Sequence, residues 1–494
     1  MSATPDVTEA DPGAPSLSMR LDRMAFTPRH LTILLALGAG WLFDSFEVQL
    51  FSSAIGPLGD HFRASVTARD AVLAVWLVGI LLGALVGGWL TDRFGRRRLF
   101  VVTLLWYAAF TVLTGLSPSL GAVYVLRFLA ALGVGAEYAI VNSAIAEFMP
   151  ARVRGRANAI VMNFWPAGAI LAALLAYLLL NTAGLAAGVS WRYMFILGGL
   201  LALVVLVFRR RIPESPRWLA ARGQQREADR VVTGLESGAS RIAGSPGTAG
   251  IAWQQGTAKP RHGADLSGSS VPALPARPAG ALRELVGRYP GRLLLGSLLD
   301  LAEAFGYYGL FALLSVVVLP QVHIGVREIP FFYILGNLGG LAGGLAMSLV
   351  IDRLGRRITV IGAYTAAAGT VGLLAWATAT GSPGWVTAAF MLANAAGTAA
   401  WTSAYPTFTE LFPTHLRGAG VGASVAVGRI GAIVGTLLLP GLAVTIGAGA
   451  SYALVVACWL VGAAAMAGFA LRGGPEAAGR SLESVTAAPL ASAA

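Results

Sequence analysis

The chain has 494 residues, of which 56% are hydrophobic and only 12% charged, about half the roughly 25% charged share of soluble domains, which excludes an ordinary soluble fold. The net charge of +12 would suit a nucleic acid only on solvated, groove-matching surfaces, whereas here the arginines gather at the ends of apolar runs. Cys458 is the only cysteine, so neither a disulfide nor a cysteine-based metal site can form within one chain.

Residues 1–29 lack the basic start, apolar core and small-residue cleavage site of a signal peptide, and they are expected to form a disordered tail. Twelve apolar stretches then follow, each long enough to cross a hydrocarbon core about 30 Å thick. Their expected cores are 31–57, 70–91, 98–117, 119–147, 155–181 and 191–209, then 293–320, 329–351, 358–379, 384–412, 418–443 and 449–471. Six lie in a first half, 30–212, and six in a second, 291–472, before a tail over 473–494. Between Pro213 and Pro290 the apolar periodicity is lost and Gly, Ala, Ser, Pro and Arg dominate. This central loop, 213–290, is expected to be largely disordered, above all over roughly 234–280. The expected fold is an all-α membrane protein with twelve transmembrane helices in two pseudo-symmetric six-helix bundles.

Arginines mark one side of the bilayer. They precede the first span (Arg20, Arg23, Arg29) and follow the second (Arg93, Arg96, Arg97, Arg98), fourth (Arg152, Arg154, Arg156), sixth (Arg209, Arg210, Arg211, Arg217), eighth (Arg353, Arg356, Arg357) and tenth (Arg417). Since cytoplasmic loops carry the excess of cations, both termini and the central loop are expected in the cytoplasm.

The halves repeat one another. GGWLTDRFGRRRLF around Asp92 recurs as MSLVIDRLGRRITV around Asp352, 260 positions on, and EFMPARVRG from Glu147 recurs as ELFPTHLRG from Glu410, 263 positions on. Within the spans, Asp44 and Glu47 of the first match Asp300 and Glu303 of the seventh, both pairs spaced i, i+3. Parallel halves with a site between them are a transporter architecture, in which one half rocks against the other.

At these residues the chain resembles the major facilitator superfamily over about residues 30–472. The signature with Gly88, Asp92, Arg93, Gly95, Arg96 and Arg97 is similar to that family's loop motif, with Ser348 in place of the glycine in the second copy. RFLAALGVGAEY from Arg127, EFMPARVRGR from Glu147 and PESPRWL from Pro213 resemble the sugar-porter, organic-ion and bacterial metabolite branches. The resemblance implies gating roles for Gly88, Asp92, Arg93, Gly95, Arg96, Glu147, Arg156, Asp352, Arg353, Gly355, Arg356, Glu410 and Arg417. For the arginines, setting topology and touching lipid headgroups is the alternative.

An ionisable group near the bilayer centre is costly and is kept where it lines a cavity or a relay. Asp44 and Glu47 share a helix face and could share a proton; DSFE is similar to the DGxD pattern of aromatic-acid/proton symporters. The resemblance to sugar porters places Arg127 opposite this acid, which makes Asp44, Glu47 and Arg127 the expected proton-coupling set, or else a static buried ion pair. Glu137, Asp300 and Glu303, with Tyr307 on the same face, are expected at the solute cavity. Arg429 lies too deep to snorkel and is a forked partner for an anion, or a counter-ion for Asp300 or Glu303. In the tenth span Asn394, Thr398, Trp401, Thr402 and Tyr405 form one polar and aromatic stripe, to which Asn163 and Trp165 of the fifth add. Helix packing is the alternative for each of these.

The expected function is secondary active transport of a small organic solute, a carboxylate with aromatic acids included, by proton-coupled alternating access across the plasma membrane. A sugar, polyol or organic-cation porter and a non-transporting membrane sensor are the alternatives. No enzyme is expected: there is no phosphate loop or metal-ligand cluster, and the five histidines are scattered. The partners expected are a solute, protons and the lipid bilayer, with no nucleic acid; the cofactor expectation is none beyond the proton gradient, and the chain is expected to act as a monomer.

Overall fold

The computed structural model describes residues 16–179, 187–210, 212–243, 278–324 and 328–487. No strand forms among them. The first half holds α2 (Pro28–His61), α3 (Val66–Phe94), α4 (Arg96–Gly115), α5 (Leu120–Phe148), a fifth span split into α6 (Arg154–Met162) and α7 (Phe164–Tyr177), and α8 (Ala187–Arg209). The second holds α12 (Pro290–Leu313), α14 (Ile329–Leu354), α15 (Arg356–Ala379), α16 (Pro383–Leu411), α17 (Arg417–Thr445) and α18 (Ala448–Leu471). A π-helical turn, Leu314–Val318, and the short α13 (Leu319–Gln321) prolong α12.

Eleven of these spans are apolar enough to cross a membrane by hydropathy. The twelfth, α16, is 29 residues long, and its hydroxyls and amide at Asn394, Thr398, Thr402, Ser403 and Thr407 dilute its hydropathy. All five of those side chains are buried in protein, which is how such a helix is tolerated in lipid.

Local chemistry sets the helix ends. Ser65 and Ser119 accept from backbone N–H groups at the starts of α3 and α5, and proline opens α2, α12 and α16, where a missing N–H is harmless. The two loop signatures turn on glycine: Gly95 and Gly355 sit at φ 91° and 85°, a region that L side chains avoid.

Three parts of the expected layout change. Residues 225–243, expected to lack periodicity, form α10 (Gln225–Ala243). Ala228, Val232 and Leu235 are its buried stripe, and the stripe folds because α2 and the tail helix α1 (Leu17–Arg23) cover it. The central loop also contains α9 (Pro216–Ala221) and α11 (Pro278–Arg288); residues 244–277, the middle of the expected disorder, lie outside the described residues. Both tails hold helices, α1 and α19 (Leu482–Ala487), although residues 1–15 and 488–494 are outside the description.

The two halves meet where α17 packs on α3 and α5 and where α14 and α16 pack on α6 and α7. At the first seam a Cβ on Gly88 would lie 2.2 Å from the Gly418 carbonyl oxygen, so backbone meets backbone.

Candidate functional site: a closed arginine-rich face and a central cavity

At the arginine-rich face the two signatures act as crossed helix caps. Asp92 accepts from the backbone N–H groups of Gly418 (3.0 Å) and Ala419 (2.8 Å), at the start of α17 in the other half. Asp352 accepts from those of Gly155 (3.0 Å) and Arg156 (2.8 Å), at the start of α6. A helix N-terminus carries orphan donors and a partial positive charge, so each carboxylate holds the opposite half by bonds that a separation would break. Arg96 ties Asp92 (3.1 Å) to Glu147 (2.7 Å), and Arg356 ties Asp352 (2.7 Å) to Glu410 (2.9 Å). Arg417 adds a bond across the seam to Glu147 at 3.0 Å.

Two expected gating residues fall outside this network. Arg93 and Arg353 are exposed, with the Arg93 guanidinium over the Trp89 and Phe94 rings. Arg156 contributes its backbone N–H and donates from its side chain to the Ser348 carbonyl at 3.3 Å. The counterpart of Arg417 is Arg154, which pairs with Asp22 of α1 at 2.8 Å. Sequence reasoning also missed a fourth repeated station. Glu214 accepts from the Arg96 (2.8 Å) and Arg97 (3.2 Å) N–H groups, and Glu476 accepts from those of Arg356 (2.9 Å) and Arg357 (3.2 Å). The shared Pro-Glu of PESPR and PEAAG was the available signal. Burial pushes the Glu214 carboxyl up, against the pull of these donors.

Inside the first half one face of α4 presents Thr103, Tyr107 and Thr111, spaced i, i+4, i+8, and each hydroxyl donates to one buried carboxylate. Thr103 donates to Glu137 (2.7 Å), Tyr107 to Asp44 (2.8 Å) and Thr111 to Glu47 (3.1 Å). Glu47 is ion-paired with Arg127, whose guanidinium lies 4.5 Å from the Phe51 ring centroid. No hydrogen bond joins Asp44 to Glu47. Glu137, expected at the solute cavity, is instead locked to Arg209 by both carboxylate oxygens. Arg209 stands at the end of α8 and was legible only as a topology marker.

Between the halves lies a small cavity, lined by Tyr138 and Trp165 of the first half and Glu303, Tyr307, Tyr308, Trp401 and Arg429 of the second. Trp41, Trp165 and Trp401 meet one another in tilted and edge-to-face contacts at 5.3 to 5.9 Å between centroids. The Arg429 guanidinium donates to the Tyr308 hydroxyl (3.1 Å), lies 3.6 Å from Asp300, and stands over the Tyr138 ring at 5.0 Å. Asp300 is thus a counter-ion behind the wall and not part of the lining.

Three expected cavity residues serve helix contacts. Asn394 donates to the Gly336 carbonyl at 2.7 Å, Thr398 packs where a Cβ on Gly340 would be 2.8 Å away, and Asn163 donates to the Ala159 carbonyl at 2.7 Å beside Gly344. Tyr138 and Tyr308 were missed because each adjoins a residue chosen for its charge or face, Glu137 and Tyr307. Arg127 and Tyr138 are eleven residues apart, three turns on one face, and that spacing could have found the first.

Residues 49–488 match the family model described as sugar (and other) transporter. The chain belongs to this family. It is a multi-pass transporter of the major facilitator superfamily and not an enzyme. It is 28% identical over 434 residues to the niacin transporter NiaP of Acinetobacter baylyi, covering 86% of this chain and 89% of that protein. It is 26% identical over 441 residues to the putative metabolite transport protein YyaJ of Bacillus subtilis, covering 89% and 92%. The fold matches the proton:xylose symporter XylE bound to 6-bromo-6-deoxy-D-glucose with a TM-score of 0.73 at 20% identity, over 93% of this chain and 99% of that one. Among the described residues no cluster of His, Cys, Asp and Glu is placed to hold a metal ion.

Proposed function

We propose that this transporter moves a small aromatic carboxylate across the plasma membrane and couples that movement to protons. Arg429 carries the proposal: it is a buried guanidinium set in aromatic walls that both halves contribute. Aromatic faces receive a planar ring, and a guanidinium in a dry site is a strong, geometrically selective partner for a carboxylate. Niacin, named for the Acinetobacter relative, is a pyridine carboxylate of that kind.

In this reading the arginine-rich face is the cytoplasmic one, because cytoplasmic loops carry the excess of cations, and both termini are proposed on the same side. Asp92, Asp352 and the arginines bonded to them close that face, and their bonds break and re-form as the halves rock. Glu47 with Arg127, and Asp44 one turn earlier, form the proton-linked station of the first half. A single chain encloses the cavity, so a monomer suffices, and the proton gradient is the energy source with no other cofactor.

Uptake of radiolabelled nicotinate into proteoliposomes tests this reading, with benzoate, xylose and an organic amine as competitors and with or without an imposed pH gradient. Nicotinate should accumulate only with the outside acidic, benzoate should compete, and Arg429→Ala should weaken binding at least about tenfold. Uptake of xylose or the amine without any aromatic acid, or an Arg429→Ala protein of unchanged affinity, would refute it.

A further inference from the structure

The buried charges of the two halves are compensated differently. In the first half Arg127 pairs with Glu47 and Arg209 with Glu137. In the second, Arg429 is the one cation among the described residues that lines the cavity, and its ion-pair contact is with Asp300. Glu303, one turn along α12, is left over. It is 4% exposed, it lines the cavity, its Oε2 accepts no hydrogen bond, and among the described residues it has no ion-pair partner.

The groups around it can be named element by element. Its own helix contributes Asp300, Tyr307 and Tyr308; α17 contributes Arg429, α16 Tyr405, and α5 Tyr138. From α15 comes Tyr364, whose hydroxyl already donates to the Leu299 carbonyl at 3.0 Å. Only Arg429 among these is a cation, and Asp300 offsets it. With both carboxylates ionised the cavity therefore carries one net negative charge before any solute arrives. An organic anion would add a second in a region of low dielectric, where like charges repel strongly.

We propose that Glu303 is a proton-binding site within the solute cavity, and that an organic anion binds there only with a proton on Glu303. The inference rests on the carboxylate reading above. The step is an acid–base equilibrium: an O–H bond forms on a Glu303 carboxylate oxygen, and the proton comes from water on whichever side the cavity is open. It returns to water after the anion leaves, and nothing is oxidised or reduced. Proton and anion together add no net charge, and the carboxylic acid presents the anion with an extra O–H donor beside Arg429.

Calorimetric titration of the purified protein in lipid nanodiscs with nicotinate and benzoate, across about pH 5.5 to 8, tests the proposal. The neutral nicotinamide serves as the control. For the wild-type protein the apparent Kd of both acids should rise with pH, by up to about tenfold per unit at the alkaline end, and binding should take up one proton. Glu303→Gln should bind both acids with an affinity constant to about twofold and take up none. A Glu303→Gln protein that keeps the wild-type slope and proton uptake overturns the proposal, as does wild-type binding indifferent to pH. So does an organic amine that binds more tightly at alkaline pH and loses its affinity in Glu303→Gln, which would make Glu303 a cation site. If neither acid binds at any pH, the carboxylate reading fails, and infrared difference spectra of the solute-free protein decide Glu303 separately. A carboxylic-acid band removed by Glu303→Gln supports the proton site; a band left intact overturns it.

Discussion

Asp92 accepts the Ala419 backbone N–H at 2.8 Å across the boundary between the halves, and the bond closes the first turn of a helix that Asp92 does not belong to. The same relation holds between Asp352 and Arg156 at 2.8 Å. A duplicated loop has thus become a reciprocal latch, with each half supplying the anion and each supplying the helix end.

Neutralising that anion should open the face. Asp92→Asn keeps an acceptor oxygen but loses the charge that meets the helix terminus and Arg96, a loss of about 2 kcal/mol. Spin-label distances across α3 and α17 at this face should lengthen, and gradient-driven uptake should fall about tenfold or more. Asp352→Asn should do the same across α6 and α14. Unchanged distances in both variants would show that the latch does not hold the closed state.

Gly95→Ala should destabilise the protein more than Gly355→Ala. Both residues occupy the left-handed region, where an L side chain costs on the order of 1–3 kcal/mol. A Cβ on Gly95 would also lie 2.4 Å from a Glu214 carboxylate oxygen, against 3.0 Å from Glu476 for Gly355. Thermal unfolding in detergent checks the order.

Glu137 and Trp401 should separate stability from affinity. Glu137→Gln leaves the buried Arg209 without its carboxylate, a change worth about 3–5 kcal/mol of stability. Among molecules that remain folded, affinity for the solute should change little, because Glu137 does not line the cavity. Trp401→Ala should weaken solute binding several-fold. Paired measurements of Tm and Kd would reveal the opposite assignment directly.

The tail contacts should resist acid. Burial works against the Glu483 charge, but the Arg217 guanidinium and the Ser18 hydroxyl outweigh it and bring the carboxyl down to about 2. A depressed folded value means that this contact stabilises the fold above the ordinary carboxylate range near 4.3 and loses its effect as pH falls through about 2. Hydrogen-exchange protection factors in α1 and α19, taken relative to the intrinsic rate at each pH, should therefore be level from pH 7 to about 5. Glu483→Gln should raise exchange in both helices at neutral pH, since Arg217 also reaches Asp22 of α1 at 2.8 Å.

The sequence by itself determined the membrane class, the duplicated halves, the latch acids and the depth of the buried charges. These are legible because a bilayer forbids unsatisfied backbone and unneeded charge, so every span must be long and apolar and every exception stands out. Partner and direction were decided only by tertiary structure. A helix turns about 100° per residue, so Tyr138 enters the cavity while Glu137 beside it faces α4 and α8. Arg209 is 72 positions from Glu137, and nothing in the sequence states which acid a helix-end arginine will meet. The i, i+3 acids of the two halves are alike in sequence, yet Glu47 is paired in one and Asp300 in the other. That choice depends on which helix carries the neighbouring arginine, and it leaves Glu303 in the cavity with its charge uncompensated.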